Sequence, residues 1–88
     1  MQINFTKVVH FTRLIKAGGR LREFNFRRRS DNTYDCDVSG DYNERFFFKM
    51  VHSGEKWQIH AKDIPEWIID VEFLIGENLK EEEMRLQS

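Results

Sequence analysis

An 88-residue chain that is 40% hydrophobic and 14% aromatic, with a formal net charge of −1, has room for one small packed core and none for a separate catalytic domain. Eight phenylalanines and a single proline argue against disorder, and one cysteine, Cys36, excludes an internal disulfide. No apolar run approaches the ~18 residues of a membrane span and no charged-then-apolar leader opens the sequence, so the expectation is a soluble cytoplasmic protein, one domain over 1–88. The charge is uneven: residues 1–30 hold eight Lys/Arg against Glu23 alone, whereas residues 31–88 hold six against fourteen Asp/Glu. Such a division fits a basic strand that pairs with an acidic one in a folded sheet better than an anion-binding edge.

The first segment, Ile3 to Ile15, admits two readings. With period two, Ile3, Phe5, Val9, Phe11 and Ile15 share a face, and a turn at Gly18-Gly19 sets Val9 and Phe11 opposite Phe26 and Phe24. With period 3.6, Phe5, Val8, Val9, Thr12 and Ile15 form a stripe that Gly18 ends. Branching at Cβ in Thr6, Val8, Val9 and Thr12 favours the strand.

Turn residues at Ser30-Asp31-Asn32, Gly40-Asp41-Tyr42-Asn43 and Ser53-Gly54-Glu55 then separate four alternating segments, which predicts an antiparallel meander. Pairing Arg28 with Tyr34, Val38 with Phe46 and His52 with Trp57 gathers Phe24, Phe26, Tyr34, Cys36, Val38, Phe46, Phe48, Met50, Trp57 and Ile59 on one face. The same register leaves Asn25, Arg27, Asp35, Asp37, Phe47, Lys49, Val51, Gln58 and His60 on the other, with Arg27, Asp35, Lys49 and His60 in one cross-strand row. Alternating charge along that row supports the hydrophobic register independently.

Asp63, with Glu66 three residues later and Pro65 between them, reads as a capping-box start of a helix over 63–80. Ile64, Trp67, Ile68, Val71, Leu74, Ile75 and Leu79 recur at three and four, forming a face that covers the apolar side of the sheet. Residues 81–88 read as a polar tail. The fold class is therefore α+β: an antiparallel meander sheet of four to five strands over 1–62, packed on one face by a long C-terminal helix.

Ile69 and Phe73 fall on the far side of that helix, with Gly76 beside them, and a mid-helix glycine costs about 1 kcal/mol relative to alanine. Either the N-terminal segment or a curled sheet covers these three residues, or they bind a second copy or another protein, with Gly76 permitting close approach. No catalytic, cofactor or metal site is expected. His52 and His60 have opposite parity and cannot chelate together, Cys36 falls in the core, and Asp35 and Asp37 have Arg27, Lys49 and Asn25 as ladder neighbours. No P-loop, G-x-G-x-x-G, G-x-S-x-G or H-E-x-x-H pattern occurs, so the chain reads as a non-enzyme. Arginines 27–29, with Arg13, Lys16, Arg20 and Arg22 near them, are the one sign of nucleic-acid affinity. Arg27, Phe47, Lys49 and His60 form the basic face with one stacking ring that single-strand binders use. A small ligand between helix and curled sheet, near Trp57 and Trp67, is a third class.

Four antiparallel strands followed by one helix is similar in element order to the repeat of Pur-alpha-like and Whirly-like single-strand-binding proteins. That resemblance implies packed pairs and a sheet turned toward nucleic acid. Through Leu21-Arg22-Glu23-Phe24-Asn25-Phe26-Arg27, Trp57-Gln58-Ile59 and Ile64-Pro65-Glu66-Trp67-Ile68, the chain also resembles a family of small uncharacterised bacterial domains, which implies no activity. The reading is a small interaction domain that forms a homodimer or binds a protein partner through Ile69, Phe73 and Gly76, with single-stranded nucleic-acid binding as the alternative.

Overall fold

Four tight turns reverse the chain between His10 and His60. The computed structural model describes residues 10–87. In it, β1 (His10–Ala17), β2 (Arg20–Arg28), β3 (Tyr34–Ser39), β4 (Arg45–Ser53) and β5 (Lys56–His60) pair in chain order as one antiparallel sheet. The three pairings expected for β2 to β5 are those observed: Arg28 faces Tyr34, Val38 faces Phe46 and His52 faces Trp57. One face accordingly buries Phe24, Phe26, Tyr34, Cys36, Val38, Phe48 and Met50, while Phe46, Trp57 and Ile59 pack partly buried around them.

His10 to Ile15 is strand, not helix, and its register departs from expectation by two residues: Phe11 faces Phe26, and Arg13 faces Phe24. Gly18 and Gly19 both have positive φ, 62° and 82°, as a two-residue type I′ hairpin requires. Ala17 and Arg20 are therefore the flanking pair, and this fixes every position upstream. The proposed partners Ile3, Phe5, Val8 and Val9 lie outside the described residues.

The helical segment is broken. After α1 (Glu66–Ile69), the Val71 amide reaches back three residues to the Ile68 carbonyl, and α2 runs Glu72–Gln87. Asp63 does not cap it. Its φ of 56° places it in a left-handed loop conformation, and the N-cap is Pro65, without a side-chain hydrogen bond. Of the expected core stripe, Ile68, Val71, Ile75 and Leu79 are buried, and Ile64 and Trp67 pack partly buried against the core. Leu74, expected in the core, is 47% exposed.

The expected polar tail over 81–88 is helix through Gln87, because its acidic run has partners on the sheet. Arg13 on β1 pairs with Glu81 and with the buried Glu82, each at 2.9 Å, and Glu82 also receives Arg85. The Tyr34 hydroxyl donates to Glu83 at 2.8 Å. At the opposite end of the sheet, the buried Arg22 lies 3.9 Å over the Trp67 ring, donates from Nε to the Ala17 carbonyl at 2.7 Å and pairs with Asp41 at 3.1 Å. Internal partners thus absorb Arg13, Arg20 and Arg22 of the basic N-terminal half. Among the described residues, no helix is long and apolar enough to cross a membrane.

Arg85, and Arg13 with it, hold the Glu82 carboxylate below the ordinary glutamate range, against the opposing cost of burial. A lowered folded-state value means that the unfolded chain takes up the proton first. The stabilisation is therefore complete above the ordinary glutamate range and is lost as pH falls through the lowered value. Urea midpoints of wild type and Glu82→Gln should differ most near neutrality and converge on acidification; a gap independent of pH would contradict this role for Glu82.

Candidate functional site

The seating of α2 on the edge strand β5 leaves a hollow beside it on the surface described. Glu72, in the first turn of α2, accepts the Ile59 amide of β5 at 2.8 Å. One turn further on, Gly76 is buried against Trp57, and a Cβ added there would lie 3.1 Å from Trp57 Cβ. The packing reason for a mid-helix glycine is therefore inside the chain. Gly76 lets the strand approach its own helix.

Beside this contact, a groove of about 850 Å³ runs between the β4–β5 hairpin and α2. His52, stacked on Trp57 at 4.8 Å between ring centroids, forms one wall with Lys56. Phe73, Glu77, Lys80 and Met84 form the other, and Gly76 lies between. Phe73 is 75% exposed and Met84 63%, while Ile69, one turn before Phe73, is half exposed. The expected pair Ile69 and Phe73 is thus left uncovered by the described residues, and Phe73 belongs to the groove. Trp57 is a residue that the sequence marks, as a wall of a small-ligand site; Glu77, Lys80 and Met84 were not singled out from sequence. Their signal is a spacing of four, three and four from Phe73 to Met84, which shows only when the helix is carried past Lys80.

On the opposite face of the sheet no second layer is packed among the described residues. Its expected row is observed, with Arg27 facing Asp35, Asp35 facing Lys49 and Lys49 facing His60, and His10 extends it beyond Arg27. Phe47 is 68% exposed. Arg27 and Phe47 meet at a hollow of about 430 Å³ to which Asp35, Asp37 and Asn25 also contribute; Lys49 and His60 lie outside it. The charges there already have partners. Arg27 Nε donates to His10 Nε2 at 2.7 Å, Asp35 pairs with Arg29, and Asp37 accepts from Asn25 at 2.9 Å and Arg45 at 3.0 Å. Burial pushes the Cys36 thiol well above its ordinary value, away from the thiolate a nucleophile needs. Among the described residues, no three His, Cys, Asp or Glu side chains are grouped so as to hold a metal ion.

Comparison of the chain with family models, with curated proteins and with solved structures found no match. The groove and the opposite sheet face are therefore read on their own chemistry.

If Gly76 exists to admit Trp57, enlarging it must separate helix from strand. Gly76→Val should cost about 2 kcal/mol or more through overpacking and a stiff branched rotamer. Gly76→Ala should be nearly neutral, because about 1 kcal/mol of helix propensity offsets one tight contact. Urea denaturation of both variants tests this, and equal stabilities would contradict the close-approach argument.

Proposed function

We propose that this chain is a small, non-enzymatic, cytoplasmic interaction domain that binds a protein partner through the outer side of its C-terminal helix, at the groove against Trp57. The observation that carries the reading is the exposure of Phe73 and Met84 along one wall of an 850 Å³ groove whose other wall includes the stacked pair His52–Trp57. Large apolar side chains grouped in a concave site lose water contact when a partner fills it, and an aromatic wall supplies the rigid anchor that protein interfaces favour.

Binding is favoured over catalysis because Asp35 and Asp37, the paired carboxylates of the sheet, are engaged by Arg29, Asn25 and Arg45, and Cys36 is buried. Nucleic-acid binding has weaker support. The hollow that joins Arg27 to Phe47 also contains two carboxylates, which repel a phosphate backbone, and a single ring gives one stacking platform where such proteins present several.

Sedimentation and affinity capture with wild type, Ile69→Lys and Phe73→Glu test the reading. A retained species, whether a second copy or another protein, should be lost with Phe73→Glu and weakened with Ile69→Lys, with circular dichroism unchanged. Retention equal on all three baits would overturn it. In a low-salt titration with labelled single-stranded DNA, weak binding unaffected by Phe47→Ala is expected; tight binding abolished by Arg27→Ala and Phe47→Ala would favour the sheet face instead.

A further inference from the structure

The groove wall on α2 has an internal symmetry. Phe73, Glu77, Lys80 and Met84 follow the four-three-four spacing of a helix-pairing seam. Read from either end, the order is apolar, charged, charged, apolar, with opposite charges at the two inner positions. All four side chains line the same groove and are exposed. Among the described residues, neither Glu77 nor Lys80 forms an ion pair, although they stand three apart on one helix face.

Resting on the interaction reading above, we infer that the partner is a second copy of this chain, docked with the two α2 helices antiparallel about a two-fold axis that passes between Asn78 and Leu79. A two-fold interface requires that if residue i meets residue j, then j meets i. About this axis, Phe73 of each copy meets Met84 of the other and Glu77 of each copy meets Lys80 of the other. Two aromatic–thioether contacts therefore flank two ion pairs. The parallel alternative sets Glu77 on Glu77 and Lys80 on Lys80, so the same charges that favour the antiparallel dimer disfavour its competitor. One short helical seam buries less than the roughly 1,200 Å² at the lower end of stable interfaces, so the dimer is a dissociating one.

The charges make the geometry testable without touching the core. Wild type, Glu77→Lys, Lys80→Glu and the exchanged variant carrying both changes are compared by sedimentation equilibrium at low ionic strength. Wild type should associate reversibly. Each single change sets like charges together twice by symmetry and should weaken the dimer roughly tenfold, whereas the double exchange restores both ion pairs and should recover affinity to within about threefold. An equimolar mixture of the two single variants should form a heterodimer tighter than either alone. A wild type that stays monomeric at millimolar concentration overturns the second-copy inference; another protein captured through Phe73 would in that case still uphold the groove as a binding site. A wild-type dimer indifferent to the single changes, or a double exchange no better than the singles, overturns the antiparallel seam.

Discussion

The approach of Trp57 to Gly76 determines where everything on the helical layer points. A helix lying across a sheet is normally held off by its own side chains, and here one position lacks a Cβ where Trp57 of the strand packs against the helix. With Glu72 fastened to the β5 amide one turn earlier, α2 is fixed in both distance and rotation. The stripe Val71, Ile75 and Leu79 then faces the core, and Phe73, Glu77, Lys80 and Met84 are left on the side toward the groove. The exposed apolar surface is thus a geometric consequence of a well-seated helix.

Charge completes the fixation at the far end. A basic strand beside an acidic helix terminus is a long-range arrangement: Arg13 and Glu82 are 69 residues apart in sequence and 2.9 Å apart in space. An unpaired carboxylate as buried as Glu82 would be costly, so the pairing with Arg13 holds this turn of the helix on the sheet, and α2 runs on to Gln87. That continuation carries Met84 onto the groove wall and gives the outer stripe its second apolar end. Arg22 has the matching role at the other end, where it fills the space between the Gly18 turn and Trp67. The uneven distribution of charge along the chain is accounted for largely by these internal pairings.

The parts of the fold legible in the sequence are those that local chemistry over-determines. Strands β2 to β5 have one face apolar and one polar, and a slip of one residue would invert both, so hydrophobic alternation and tight turns select one register. The β1–β2 register follows from the Gly18-Gly19 turn itself, which as a two-residue loop pairs Ala17 with Arg20 and hence Phe11 with Phe26; the expected pairing of Phe11 with Phe24 suits a turn centred one residue earlier. The helix terminus was not legible in this way. Glu81-Glu82-Glu83 looks solvated in sequence, and only the tertiary partners Arg13 and Tyr34 show otherwise. Ile69 and Phe73 were recognisable as surplus apolar positions, whereas Gly76 was recognisable only as a residue needing close packing, with no indication of which surface approached it.

In the dimer inferred above, the outer stripe of α2 meets its own copy in reverse. An isotope-filtered NOE experiment, on a sample mixing uniformly labelled and unlabelled chains, observes contacts between copies directly. Intermolecular cross-peaks between the Phe73 ring and the Met84 methyl group are expected. Intermolecular cross-peaks confined to the sheet face around Phe47, or none at concentrations where sedimentation finds dimer, would contradict it.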